Sequence, residues 1–291
     1  MQFRTLSDEI HLTWDTYFPN WWTQITIRPS LYDWISVNGF MLSPDSLKPM
    51  ASLGARYLGI INPHSWKPVA EVVEHLISGC YAAGITRASI QTPETVPVFW
   101  WGIEGIYTTL MQNSKPSEIK QTPYIFTKEF LFSSKDGSCK FHISPSNTLD
   151  INIERKNDPE VGDDAELNIK DVYTYIQENS TARKARPIAR LKNPIIHGLQ
   201  KWIQLLGWDG ITKDNYLFNT SATSTAQLKS QMHPEFQEWW NEHLAHTIVA
   251  DFFGELHTFF PHGIYAHIEL KWKNNHFTRM ELLYELQKAL S

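Results

Sequence analysis

Histidine beside carboxylate is the pairing in this chain that could do chemistry. Of the 12 histidines, His75 follows Glu74 directly. His243 and His246 precede Asp251, and His276 follows Lys271, Lys273 and Asn275. Neutral imidazole and carboxylate are zinc ligands, and a hydrolytic zinc site uses three of them and keeps one position open. It also needs a base for the attacking water and an acid for the leaving amine. Glu74, beside a ligand histidine, could be the base, and His276 the acid. Taken one at a time, such histidines are ordinary core or surface residues. The step from His246 to Asp251 is five residues, which carries an ideal helix through about 500°, roughly 140° past whole turns. The two side chains share a face only if a π-bulge absorbs one residue.

The elements that must position these groups follow from apolar spacing and from the residues that break it. Gln24 to Arg28 alternates and stops at Pro29, as a strand does. Residues 67–83 have helical spacing, with Pro68 in the first turn, Val69, Val72, Val73, Leu76 and Ile77 on one face, and Gly84 at the end; this helix carries Glu74 and His75. A strand over 87–91 and a helix over 102–112 follow. The polar stretch Asn113-Ser114-Lys115-Pro116-Ser117 marks a boundary, giving a first domain over 1–115 and a second over 122–291. The second opens with a hairpin, 126–132 and 139–144, turned at Asp136-Gly137, and a strand over 148–153. A polar, acidic loop covers 155–165. Helices are expected over 171–177 and 194–206, a short strand over 216–218 and a loop over 219–231. A long helix over 234–256, a strand over 265–272 and a last helix over 277–290 complete the chain. Strands and helices segregated in each half imply an α+β fold built as packed layers.

Composition narrows the function classes. The chain has 291 residues, 42% apolar and 20% charged, enough to bury a core and too apolar for disorder. The net charge of -5 and the lack of a long basic stretch leave nucleic acid without an electrostatic footprint; Arg183, Lys184, Arg186, Arg190 and Lys192 read as a solvated face. Two cysteines, Cys80 and Cys139, are too few for a disulfide framework and point to a reducing, cytoplasmic setting. The first nine residues lack the order of a signal peptide, and no run reaches the ~18 apolar residues of a membrane span. The 12 tryptophans, paired at 21–22, 100–101 and 239–240, are large apolar surfaces for a core or an indole-lined groove.

Several segments, in order, are similar to the UDP-3-O-acyl-N-acetylglucosamine deacetylases, the zinc amidases of lipid A biosynthesis. Val73-Glu74-His75-Leu76 with Gly84-Ile85 resembles the segment bearing that family's base and a zinc-ligand histidine. Ile25-Thr26-Ile27-Arg28-Pro29 resembles its early strand, and Pro93-Glu94-Thr95-Val96-Pro97 its Pro-Glu-Ile-Pro segment. Lys135-Asp136-Gly137 with Phe141 and Pro145 resembles the hairpin opening its second domain. Gly210 with Asp214-Asn215 resembles its Gly-Ser-x-Asp-Asn stretch. Glu242-His243-Leu244-Ala245-His246 followed by Asp251-Phe252-Phe253-Gly254-Glu255-Leu256 resembles the helix with the second histidine and the aspartate ligand. Lys273-Asn274-Asn275-His276 resembles its Lys-x-x-His segment. The resemblance spans about 25 to 285.

It implies two βααβ layers facing each other, with zinc, or Fe2+, in the cleft between them. The implied ligands are His75, His246 and Asp251. The implied catalytic residues are Glu74 as base, His276 as acid and Lys273. Lys271 and Asp214 are implied as substrate-binding, and the substrate is an N-acylated sugar nucleotide or a related small molecule. A second reading is a catalytically silent homologue that binds a nucleotide-sugar, lipid or protein partner in the same cleft, since Thr247 and Arg186-Pro187 stand where the family has Lys and Thr. A third is a metal enzyme of another reaction class, because fold does not fix function.

Overall fold

Alternation along Ile264–Trp272 (β16) organises the second half of the chain. The computed structural model describes residues 2–15, 22–50, 58–71, 73–94, 96, 102–119, 122–135, 137, 139–155, 165–178, 249, 251–272 and 276–290, with 276–278 described through their backbone. In β16, Ile264, Ala266, Ile268 and Leu270 are all buried, so the intervening residues must face the other way, because side chains alternate across a strand. β16 pairs with Lys140–Ser144 (β13) antiparallel and with Leu149–Arg155 (β14) and Tyr124–Ile125 (β11) in parallel. Phe130–Ser133 (β12) and Ala165–Ile169 (β15) are the outer strands of this six-stranded sheet. Asp171 caps Val172–Glu178 (α3), its carboxylate accepting the Thr174 N–H at 3.3 Å.

The first half builds a five-stranded sheet by the same rule. Its order is Ile10–Asp15 (β2), Trp22–Pro29 (β3), Ala88–Gln91 (β9), Ile35–Val37 (β4) and Phe40–Met41 (β5). Ile25 and Ile27 are fully buried while Gln24 and Arg28 face solvent. A three-stranded antiparallel sheet, Leu47–Pro49 (β6), Leu58–Ile61 (β7) and Pro68–Glu71 (β8), leads into Glu74–Ala82 (α1). Pro68 therefore opens a strand, where the 67–83 spacing predicts a helix. Pro68 has no N–H to donate, and it stands where the β7–β8 register shifts. Helix begins only after Val73, whose N–H is held by the Leu58 carbonyl at 3.1 Å. It ends in a Schellman turn: Ile85 N–H bonds the Cys80 carbonyl and Gly84 N–H the Tyr81 carbonyl, both at 2.9 Å. Gly84 has φ +71°, and a Cβ there would lie 2.1 Å from the Gln2 carbonyl oxygen, so no other residue fits.

Gly102–Gln112 (α2) follows as the spacing predicts and packs on α1 where Gly79 meets Ile106. The polar stretch 113–117 is not a free linker. Ser114–Pro116 (β10) pairs with Arg4–Leu6 (β1), and the Arg4 side chain bonds Ser114 Oγ at 2.9 Å. The helix 251–259 (α4) is buried on every side, as a helix in a protein interior is. It runs three residues past the expected end at 256. His276–Leu290 (α5) closes the described chain. The sheets and helices together are an α+β architecture. The expected helix 194–206, strand 216–218, loop 219–231 and basic cluster 183–192 lie outside the described residues. Among the described residues, no helix is long and apolar enough to cross a membrane.

Candidate active site

α1 and α4 meet through a glycine. A Cβ on Gly254 would lie 2.6 Å from Ser78 Oγ and 3.5 Å from the Glu74 carbonyl oxygen, so the two helices approach as closely as backbones allow. Gly254→Ala must push them apart; such overpacking costs about 1–3 kcal/mol, read as a lowered urea midpoint, with loss of the contacts described next.

Glu74 opens α1 and is 2% exposed. Its Oε2 accepts the Leu58 N–H at 3.2 Å, which ties its orientation to β7. Asp251 opens the described turn of α4 and is also buried. Glu255, one turn on, is wholly buried, and Arg279 of α5 donates through Nη2 to its Oε1 at 2.7 Å. Burial, with repulsion from Glu255 added, pushes the Glu74 carboxyl up to about 8, against the pull of Arg279. Burial and the Glu74 charge push Asp251 well above the usual carboxylate range, again opposed by Arg279. The four groups thus feel one another's charge inside a dry layer, although α1 and α5 come from opposite ends of the chain.

Among the described residues this cluster holds three carboxylates, Glu74, Asp251 and Glu255, against one guanidinium. When all are ionised the excess is two negative charges, a state that a dry interior does not tolerate uncompensated. Two protons or one dication would balance it. Asp251 Oδ1 is buried and has no hydrogen-bond partner among the described residues. His75 is the single residue of α1 that is not fully buried. Desolvation pushes its imidazole down to about 4, so at neutral pH it is uncharged, the form that ligates metals. A buried carboxylate oxygen with no hydrogen-bond partner among the described residues and a neutral imidazole are donor types that a divalent cation takes. Among the described residues no three His, Cys, Asp or Glu side chains are yet arranged as a metal cage.

The expected site residues divide accordingly. Glu74 and Asp251 are brought together, and His75 is adjacent to Glu74. His276 begins α5 one turn before Arg279. His246, Lys273 and Asp214 lie outside the described residues, as does the π-bulge expected between His246 and Asp251. Lys271 is not at this cluster. It sits on the outer face of the six-stranded sheet, opposite the buried face of β16, and its Nζ pairs with Glu154 at 2.6 Å. On that face it borders a groove with Glu129, Lys140, His142 and Glu269. Sequence reading missed Glu255 and Arg279. The signal for the first was its place four residues after Asp251; for the second, nothing in the spacing pointed to a partner 24 residues away.

No protein-family model matches the chain, and no curated protein matches it at a significant level.

Proposed function

We propose that this chain is a zinc-dependent amidohydrolase that deacetylates an N-acylated sugar nucleotide or a related small molecule, on a two-domain βααβ sandwich. The observation that carries the reading is the buried Oδ1 of Asp251, without a hydrogen-bond partner among the described residues, beside Glu74. Zinc is the proposed metal, with Fe2+ the alternative, and His75, His246 and Asp251 are the proposed ligands. When bound, the ion would acidify a water and polarise the amide carbonyl.

The residues have distinct tasks. Glu74 takes the proton of the attacking water, the task of a positioned carboxylate base, and a bound dication would free that carboxylate of the proton it holds in the metal-free protein. The Leu58 N–H keeps that carboxyl from turning away. Asp251 holds its position from α4 through the close packing at Gly254. His276, at the start of α5, returns a proton to the departing nitrogen. By the resemblance that names them, Lys273 serves as a catalytic residue and Asp214 binds substrate. Lys271 has no part, since its strand turns it to the outer face.

Metal analysis of the purified protein tests this. Zinc or iron near one equivalent per chain, with hydrolysis of an N-acetylated sugar nucleotide abolished by a chelator and restored by Zn2+, is the expected result. Protein free of both metals whose hydrolysis ignores the chelator overturns it.

A further inference from the structure

The buried pair Glu255–Arg279 has no role in the reaction as written, and we propose that it is a positioning device: a clamp that fixes the first turn of α5, and with it His276, against the turn of α4 that bears Asp251. The proposal rests on the reading of Asp251 and His276 given above. Each member of the pair stands one helical turn beyond one of those residues, Glu255 four after Asp251 and Arg279 three after His276. The Nη2–Oε1 distance is 2.7 Å, with side chains 2% and 0% exposed.

Packing alone does not account for such a pair. Two apolar side chains of similar volume usually stabilise a buried position as well or better, because desolvating two charges offsets their attraction. An apolar pair lacks direction, however. The guanidinium presents planar donors at fixed angles, so it fixes the approach of the helix that carries it. The far end of α5 is held by other means: Leu283 and Leu286 are buried, and Tyr284 accepts from Lys48 at 2.6 Å while packing edge-on to Phe259. Near the beginning of α5 the buried ion pair crosses to α4. Arg279 and Glu255 therefore act through His276 and are not themselves catalytic residues.

The test is Glu255→Leu/Arg279→Leu, read by amide hydrogen exchange of the metal-free protein over 276–282, by urea unfolding and by zinc titration. The expected result is an unfolding midpoint at or above that of the parent, with first-turn exchange at least tenfold faster and α4 exchange unchanged. Unaltered first-turn exchange in the folded double variant overturns the clamp and leaves the pair as packing. Should that variant not fold, Glu255→Gln/Arg279→Met, uncharged and close in shape, is read by the same two criteria. Zinc titration separates the two ideas. The variant should keep the parent's affinity within about threefold, since the proposed ligands are untouched. A parent protein that binds no zinc overturns the metal reading, while the exchange measurement still decides the clamp.

Discussion

Glu74→Gln should lower turnover of an N-acetylated sugar nucleotide by about 10²–10⁴-fold, the usual contribution of a positioned base, while making the metal-free protein more stable. The opposite signs are the point. The amide of Gln can still accept the Leu58 N–H, so the link from α1 to β7 survives. What disappears is an ionisable group that folding forces into a dry layer against Glu255 and Asp251. With its carboxyl pushed from 4.5 to about 8, the folded state must take up a proton at pH 7 that the unfolded chain lacks, a cost of about 3 kcal/mol. Removing that cost should raise the urea midpoint of the metal-free variant. A variant that lost activity by misfolding would move both readouts downward together. Lower turnover with lower stability would therefore count against Glu74 as a buried base, and unchanged turnover would remove it from the reaction.

How much of this was legible in the sequence depended on whether a signal was local. β16 and α5 fall within a residue of the expected 265–272 and 277–290, because period-two and period-3.6 patterns are local and long. Residues 68–71 were misread because Pro68 serves a helix's first turn and an edge strand equally well. The choice was made by pairing with β7, which is remote in sequence. Lys271 shows a signal present but not used: the apolar run 264, 266, 268, 270 already places 271 on the opposite face. Glu74 and Asp251 were named from motif likeness; that they share a buried layer follows from Gly254 meeting Ser78, a contact no spacing encodes. The Glu255–Arg279 pair was invisible for the same reason, and only the structure shows three buried carboxylates and one guanidinium together among the described residues.

Burial of titratable groups sets a pH dependence with a definite shape for the metal-free protein. His75 and His257 are both pushed from 6.5 down to about 4 by desolvation. His257 stays neutral through burial, against the pull of the Phe253 carbonyl 2.9 Å from its Nδ1, with the Tyr173 hydroxyl 3.0 Å from its Nε2. Between pH 6.5 and 4 the unfolded chain binds these protons first, so their contribution is full above 6.5 and is lost as pH falls through the window. Glu74 works in the other direction. Its folded affinity for a proton is raised, so the stability linked to its protonated form is present below 4.5 and is lost as pH rises toward 8. Asp251 shares that direction. The two sets oppose each other between 4.5 and 6.5, and only the carboxylates act above 6.5. With two histidines set against two carboxylates, stability should therefore peak near pH 5 to 5.5, where the slopes cancel, and fall by about 2 kcal/mol from pH 6 toward pH 8 from Glu74 alone. Urea titrations at half-unit steps read this directly. Saturating Zn2+ should flatten or reverse the alkaline limb, because a dication supplies the charge that the protons supplied and binds the folded state alone. Glu74→Gln should shrink the limb without metal, leaving the part that Asp251 contributes. An alkaline limb that persists unchanged in Glu74→Gln and ignores Zn2+ would show that neither the carboxyl at 74 nor a cation site governs the stability of this layer.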